Sequence, residues 1–373
     1  MKPLGTINYL KNNAKKVLVQ FICVVLSTCF IYLISVVFYS SIYSTNSYGI
    51  NIVKNAFIVK TNHKKEIPLE ALNSLKSNKD VRKIIPLVSA EEGFQYNSML
   101  TTSDGNVFNV FQEDLKDIIN LFNMRLISGR LPRENSNEIV IPKNFAKQNK
   151  IDIGAYIGND EKLNISLDND YKVVGIMDGS SSFMLISNHI KISRNEALKH
   201  NIIAALKSDK QNEVEKIFSN IKDKNIKYFD YRLLKSQTDE AYKNINIVEA
   251  ALDGLIIFVL CISIMHINYV ILLSRKKEFV ILNLIGYTKN KLYKKILKEN
   301  ATLNILSFGA GNLIAFFIAN ILNITLWGPK GEYSVPFKLT YVFNTSIILI
   351  CIFIVEVLLL FVIGNKLYKK MKL

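Results

Sequence analysis

Four long apolar blocks constrain this chain more than any other feature of its sequence. The first block, residues 17–43, contains no charged residue. A helix needs about 20 mainly apolar residues to cross a hydrocarbon core of roughly 30 Å, and this block exceeds that length. Three further blocks meet the same requirement, at residues 254–273, 301–327 and 341–364. The sequence therefore predicts four transmembrane helices and excludes an ordinary soluble globular protein.

The first block follows a basic stretch, so a cleaved signal peptide is the alternative interpretation. Its apolar run is longer than the core of a typical signal peptide, and no A-x-A cleavage site follows it. We therefore expect an uncleaved membrane anchor.

The positive charge of the chain is confined to three short segments beside the apolar blocks. The net charge is +16, and residues 1–16, 274–300 and 365–373 together carry 16 basic and two acidic residues. The rest of the chain is nearly balanced, with 31 basic and 29 acidic residues. Basic residues collect in the cytoplasmic segments of membrane proteins. We therefore expect a multi-pass plasma-membrane protein with both termini in the cytoplasm and residues 44–253 outside.

The same charge distribution bears on partners. A nucleic-acid-binding domain presents a basic face, and the nearly neutral exterior region argues against nucleic acid as a partner. The cytoplasmic lysines are candidates for contact with anionic membrane lipid. Frequent Lys, Asn and Ile residues are typical of an AT-rich bacterial genome, so we expect a bacterial source.

The exterior region alternates short strand patterns with short helix patterns. We therefore expect an α-helical membrane protein with four transmembrane helices and a large mixed α/β extracytoplasmic domain between helices 1 and 2. A charged stretch at 232–251 contains no proline or glycine and predicts a stalk helix that continues into the second block. The expected order is a cytoplasmic N-terminus (1–16), helix 1 (17–43), exterior domain (44–253), helix 2 (254–273), cytoplasmic coupling segment (274–300), helix 3 (301–327), exterior loop (328–340), helix 4 (341–364) and cytoplasmic tail (365–373).

The sequence offers no pattern for catalysis. It contains no phosphate-binding loop, no H-E-x-x-H, no G-x-S-x-G and no C-x-x-C. All four cysteines lie in the apolar blocks, and the exterior histidines His63, His189 and His200 lack metal-ligand spacing. We expect no catalytic residue, no metal site and no enzymatic activity in this chain.

Two ionisable residues, His266 and Glu356, lie inside the apolar blocks. Both are about two turns from the expected cytoplasmic end of their helices, so they could meet at one depth. A charge at the centre of a membrane helix costs about 3 kcal/mol, which the surrounding apolar residues can offset. One interpretation is a proton site or a polar-substrate site. The alternative is a contact that only packs helices together.

The coupling segment predicts a short amphipathic helix that connects two membrane helices. Phe279, Leu282 and Ile285 recur at three-residue spacing, Gly286 suits the end of a helix and Thr288 suits the start of the next. An amphipathic helix in this position usually anchors the chain at the membrane surface, and it also offers a lever for a cytoplasmic partner.

The coupling segment resembles a signature of FtsX/MacB-type ABC transporter permeases. The matching residues form the pattern Arg275-x-x-Glu278-Phe279-x-Ile281-Leu282-x-x-Ile285-Gly286-x-Thr288. The stretches 127–132 and 137–142, Ala146 and the stretches 153–154 and 171–176 resemble the MacB-like periplasmic core domain of the same family. The order of one helix, a large exterior domain and three further helices also matches.

The resemblance implies a permease subunit that works with a separate cytoplasmic ATPase and with a second permease copy or a similar subunit. ATP and Mg would then be bound by the ATPase, with no cofactor in this chain. The motions of the ATPase would drive export, extraction or removal of lipoprotein, peptide or toxin-like substrates. The resemblance places the ATPase contact on Arg275, Glu278, Phe279, Leu282, Gly286 and Thr288.

Two other functions stay open on the sequence. The complex could transmit force to an exterior cell-wall hydrolase without moving a substrate. The chain could also be a stand-alone receptor or immunity protein with no ATPase partner.

Overall fold

The computed structural model describes residues 10–61, 65–89, 93–97, 99–100, 102–180, 182–187, 192–207, 210–219, 221, 225–229 and 231–364. His63 and His189, most of residues 1–16 and the tail 365–373 lie outside the described residues. The helices are α1 (Ala14–Ser44), α2 (Leu69–Ser77), α3 (Leu115–Leu121), α4 (Lys143–Asn149), α5 (Arg194–Ala197), α6 (Gln211–Ser219), α7 (Tyr231–Ser274), α8 (Lys276–Leu284), α9 (Lys289–Leu322) and α10 (Leu339–Leu359). The strands are β1 (Ala56–Thr61), β2 (Val81–Ser89), β3 (Gly93–Asn97), β4 (Thr102–Val110), β5 (Arg125–Gly129), β6 (Glu138–Pro142), β7 (Tyr156–Ile157), β8 (Ile165–Ser166), β9 (Tyr171–Asp178), β10 (Phe183–Ser187), β11 (Asn201–Leu206) and β12 (Ile226–Phe229).

The chain forms two compact units. The helical unit contains the described residues of Met1–Tyr39, Ile245–Asn323 and Val335–Leu373. The sheet unit contains those of Ser40–Asn244 and Ile324–Ser334. Four helical stretches are long and apolar enough to cross a membrane: Val17–Val53, Tyr231–Ser274, Lys289–Trp327 and Leu339–Val362. Each of them overlaps one of the four apolar blocks of the sequence.

The sheet unit is built on one mixed sheet. The strand order along its main path is β12-β1-β11-β2-β4-β10-β6-β9-β5, and β3, β7 and β8 pair at its sides. Strands β4 and β10 run parallel, as do β6 and β9, while the other pairs are antiparallel. Parallel pairs need connections that cross over the sheet, so the central strands come from distant parts of the chain.

Alternating apolar residues bury both faces of the central strands. On β10, Phe183 and Leu185 join one core cluster, whereas Met184 and Ile186 join another on the opposite face. Successive side chains of a strand point to opposite faces, so this run of apolar residues supplies both layers. Phe183 stacks on Phe108 at 4.6 Å between ring centroids, and the two rings anchor the first cluster.

The helical unit has its own core, to which α1, α7 and α10 contribute. Val24, Ile31, Leu260, Ile264, Ile348 and Ile352 are all buried in it. Helix α9 packs through small residues, and a Cβ atom at Gly311 would lie 2.7 Å from Thr28 Cβ and 2.9 Å from the Val25 carbonyl oxygen. Only glycine allows so close an approach between α9 and α1.

Most elements expected from the sequence are present. The predicted continuous helix is present, because α7 is one helix of 44 residues that contains the whole 232–251 stretch. The sheet unit alternates short strands and short helices, as the sequence pattern of the exterior region predicts, beginning with β1. Strand β4 begins with residues that are polar or glycine, Thr102 to Asn106, which are not typical of a strand.

Candidate functional site

The coupling segment folds into a short helix between two long ones. Helix α7 ends at Ser274, α8 follows after Arg275, and α9 begins at Lys289. Gly286 has φ +91°, a left-handed conformation that glycine adopts without strain. The backbone N–H of Tyr287 donates to the Leu282 carbonyl at 3.0 Å, which closes the end of α8. The predicted helix end at Gly286 is thus confirmed, and Thr288 precedes α9 without a side-chain capping bond.

A buried ion-pair network fixes this turn. The Arg275 side chain is only 4% exposed, and its Nη1 donates to Glu299 Oε2 at 2.8 Å. Its Nε and Nη2 donate to the two carboxylate oxygens of Glu278 at 2.7 and 2.8 Å. Lys295 Nζ lies 3.1 Å from Glu299 Oε1 and 3.6 Å from Glu278 Oε1. The four side chains therefore tie the start of α8 to the first turns of α9.

The network also shifts the titration of Glu278. Partial burial, the largest single influence, would raise the pKa of Glu278. The hydrogen bonds and charge of Arg275, together with the charge of Lys295, outweigh it and hold that pKa below its ordinary value. Glu278 therefore remains an anion that holds Arg275 in place.

An apolar cluster lies beside the ion pairs. Phe279 and Leu282 on α8 are buried together with Leu272, Leu292, Ile296, Leu359 and Leu360. The Arg275 guanidinium sits over the Phe279 ring, 5.0 Å from its centroid, which adds a cation–π contact. One face of α8 is therefore packed against α7, α9 and the end of α10.

Exposed apolar side chains lie on the opposite side of α8 near its C-terminal end and directly after it, at Ile285. Leu284 is 79% exposed, Ile285 70% and Ile281 56%. Of the residues that the resemblance marks for ATPase contact, Arg275, Phe279 and Leu282 are buried, Glu278 is half-buried, and Gly286 and Thr288 are exposed. The structure brings Arg275, Glu278 and Phe279 together and places Leu282 in the same core, whereas Gly286 and Thr288 form the turn that follows.

Sequence reasoning missed two members of the network. Lys295 and Glu299 were read only as part of a basic segment. The available signal was that Glu299 is one of only two acids among the charged residues of 274–300. An isolated acid at the start of an apolar block points to a cation partner, here Arg275, 24 residues earlier.

The two intramembrane residues lie in different environments. Glu356 is 2% exposed, whereas His266 is exposed. Three amide groups donate to Glu356 Oε1: Asn304 Nδ2 at 3.0 Å, and Gln20 Nε2 and Asn268 Nδ2 at 3.3 Å each. The side chain that meets Glu356 from α7 is thus Asn268.

A further group of possible metal ligands lies on the sheet unit. One ligand atom from each of Glu66, Glu196 and His200 falls within 4.8 Å of the others. Lys199 already pairs with both carboxylates at 3.3 Å, and His200 Nδ1 lies 2.8 Å from the Lys65 carbonyl oxygen. The cluster is therefore a mixed-charge surface network.

The sheet unit also contains a cavity of about 480 Å³. Its wall combines apolar side chains with Lys60, whose Nζ donates to Asn106 Oδ1 at 2.7 Å and lies 5.5 Å from the centroid of the Phe229 ring. Burial lowers the pKa of Lys60 to about 8. A mainly apolar cavity with a few polar groups is typical of a small-ligand site.

Comparisons with known proteins were made for both the sequence and the structure. Residues 252–371, about a third of the chain, match the family described as FtsX-like permease C-terminal. This match assigns that part of the chain to an FtsX-like permease domain. No curated protein sequence matches the chain.

Two solved structures are similar to the chain. The periplasmic region of MacB from Actinobacillus actinomycetemcomitans is 12% identical, with a TM-score of 0.31, over 51% of this chain and 96% of that one. The extracellular domain of the ABC-type transporter YknZ from Gram-positive bacteria is also 12% identical, with a TM-score of 0.29, over 47% of this chain and 100% of that one.

Proposed function

We propose that this chain is the permease subunit of an ABC transporter. A separate cytoplasmic ATPase binds ATP and Mg and drives the motion, and a second permease copy or a similar subunit completes the membrane part. The observation that carries the proposal is the architecture of α8: one face is held by ion pairs and apolar packing, and the other presents Ile281 and Leu284, followed directly by the exposed Ile285. The family match of residues 252–371 supports it.

In this proposal the coupling residues have two different roles. Helix α8 is held against α7 and α9 by Arg275, Glu278, Phe279 and Leu282. A force applied to α8 is therefore transmitted to both long helices. Leu284 and Ile285, with the exposed Gly286 and Thr288, form the surface that contacts the ATPase. An exposed apolar patch rimmed by lysines is typical of a protein–protein contact.

The sheet unit is the part that acts on exterior substrates, which we propose to be lipoprotein, peptide or toxin-like molecules. Helix α7 runs from Tyr231 to Ser274 without a break and is about 66 Å long at 1.5 Å per residue. It is the element that would transmit the stroke. The same helix would also serve the alternative function, in which the complex activates an exterior cell-wall hydrolase.

The test is co-purification of the full-length chain with its ATPase from native membranes. Replacing Leu284 and Ile285 with serine should remove the ATPase from the purified complex, because it removes the exposed apolar contact. A matched variant with serine at Lys276 and Lys277 removes two exposed side chains of the same helix and should retain the ATPase.

Recovery of the intact protein without any ATPase, after crosslinking and with ATP trapped, would contradict the proposal and favour a receptor or immunity protein. A cell-wall hydrolase that co-purifies together with the ATPase would favour the regulatory alternative.

A further inference from the structure

The long helices of the helical unit meet at one buried polar cluster. It consists of Gln20 on α1, Asn268 on α7, Asn300 and Asn304 on α9, and Glu356 on α10; we call it the Glu356 junction. Besides the three bonds to Glu356 Oε1, Gln20 Nε2 donates to Asn304 Oδ1 at 3.0 Å and Asn300 Nδ2 to Asn268 Oδ1 at 3.2 Å. Each of the four candidate membrane-spanning helices thus contributes to one hydrogen-bonded group.

Two buried acceptor atoms of this junction have no hydrogen-bond partner. They are Glu356 Oε2 and Gln20 Oε1, and the Gln20 side chain is fully buried. Rotating the Gln20 amide by 180° would not satisfy them, because its NH2 group is needed by both Asn304 Oδ1 and Glu356 Oε1. A buried acceptor without a donor costs about 1–3 kcal/mol, so the junction lacks a donor.

No cation contacts Glu356 among the described residues. Its hydrogen-bond partners are all neutral amides. The charged groups nearby on α9 and at the end of α7 are Glu299, Lys295 and Arg275, which pair with one another. Of the other titratable groups near the junction on these helices, Lys15, His266, Tyr269 and Lys298 are exposed, Cys23 is half-buried, and Cys351 lies more than one turn before Glu356.

We propose that Glu356 is an exchangeable proton-binding site, with the proton on Oε2. Binding forms one O–H bond with a proton taken from solvent water, and release returns that proton to water. The bound proton turns the unpartnered Oε2 into a donor, and Gln20 Oε1 is the unpartnered acceptor of the same junction.

The ligand is a proton because the junction does not suit a metal ion. A hard cation such as Ca²⁺ takes about six to eight oxygen ligands, whereas the junction offers two unpartnered oxygens and directs three amide N–H groups at Glu356 Oε1. Because Glu356 and Gln20 are buried, exchange with water requires the four helices to part locally. Proton exchange is therefore linked to opening of the helical unit. This inference does not rest on the proposed function, since it involves no ATPase.

The test is infrared difference spectroscopy of the full-length chain in nanodiscs of uncharged lipid, between about pH 5 and about pH 9. We expect a carboxylic acid C=O band that weakens as the pH rises and shifts in deuterated water. The band should be absent in Glu356→Gln. It should remain in Glu249→Gln, which removes another carboxyl group of the same unit, one that accepts from Ser35 Oγ at 2.9 Å.

A second variant keeps the test decisive if Glu356→Gln does not fold. Gln20→Leu retains the carboxyl group but removes the acceptor, so the band should move to higher frequency. An absence of any Glu356-dependent band in the difference spectrum would overturn the proposal, because the carboxyl group would then keep one protonation state across this pH range. A band that does not shift in deuterated water would also overturn it, because the proton would not exchange.

Discussion

The contact between Arg275 and Glu299 allows a quantitative test of how α8 is held. Two single substitutions, Arg275→Met and Glu299→Leu, each remove one member of this buried pair. The double substitution removes both and fills the site with apolar side chains. Breaking a buried ion pair on one side costs about 3–5 kcal/mol, whereas replacing the whole pair with apolar residues is often neutral.

The structure lowers the expected cost of each single change. Without Arg275, Glu299 keeps Lys295 at 3.1 Å; without Glu299, Arg275 keeps both hydrogen bonds to Glu278. We therefore expect each single change to weaken the turn by about 2–3 kcal/mol. The double change should cost no more than one single change, so the coupling free energy of the pair should be about 2 kcal/mol.

Hydrogen–deuterium exchange of the full-length chain in nanodiscs measures this cost locally. The amide of Phe279, which donates to the Arg275 carbonyl at 3.1 Å, and that of Tyr287 report opening of α8. Each single variant should speed their exchange about 30-fold to 150-fold, since 1.4 kcal/mol is a factor of ten. The matched control is Lys276→Met, which removes an exposed positive charge from the same helix and should change exchange little.

Additive effects in the double variant would refute the reasoning, because the two charges would then not interact. Equal acceleration by Lys276→Met would refute it too, since net charge and not the buried pair would hold the turn.

Three further predictions concern backbone strain and titration. Gly286→Ala should lower the free energy of opening α8 by about 1–2 kcal/mol, because Gly286 has a left-handed φ of +91°. Gly309→Ala is the control, since Gly309 is helical and its surroundings are equally open. Hydrogen–deuterium exchange should be faster in the first variant and unchanged in the second. Burial lowers the pKa of Lys60 to about 8, below the ordinary 10.5. Between these pH values the unfolded chain binds more protons than the folded one, so the free energy of unfolding should rise with pH by up to about 3 kcal/mol. Thermal unfolding at several pH values should show this rise in the wild type and not in Lys60→Met. The hydrogen bonds of Arg130, more than any other contact, lower the pKa of Glu138 to about 2 from 4.5. The stability that this pair contributes is therefore present above about pH 4.5 and lost as the pH falls through about 2. Because the Arg130 side chain is partly exposed, we expect a loss of about 1 kcal/mol, which acid titration of Glu138→Gln should lack.

Local patterns in the sequence predicted the coupling segment well but not which side of α8 is buried. Phe279, Leu282 and Ile285 have helical spacing, yet Phe279 and Leu282 are buried and Ile285 is exposed. The helix ends at Leu284, so the regular geometry that aligns residues three apart stops before Ile285. The left-handed turn at Gly286 then redirects the chain.

The polar residues of the membrane helices show a similar limit. The depth of a residue along a membrane helix can be counted from the sequence, and this count predicts that His266 and Glu356 lie at about the same depth. The direction of a side chain around the helix depends on packing: at about 100° per residue, His266 and Asn268 point to nearly opposite sides. The Glu356 junction could therefore not be assembled from depth alone, and Gln20 and the asparagines of α9 drew no attention because neutral amides are ordinary residues.

The sheet shows where tertiary structure overrides local sequence. Strand β4 pairs with β10 in parallel, between residues about 77 positions apart in the sequence, such as Asn106 and Phe183. No local pattern specifies such a partner, and the polar start of β4 resembles a loop. Its pairing follows from burial of Val107 and Phe108 on opposite faces of the sheet.

The close approach at Gly311 has a mechanical consequence. A side chain at position 311 would already overlap Thr28 and Val25, so α9 is packed directly against the backbone of α1. Because there is no gap between them, neither helix can rotate about its axis without displacing the other. A stroke that begins at the base of α9 would then reach α1 with little loss. Gly311→Ala would separate the two helices. We expect this variant to fold while the motion of α1 is no longer coupled to that of α9.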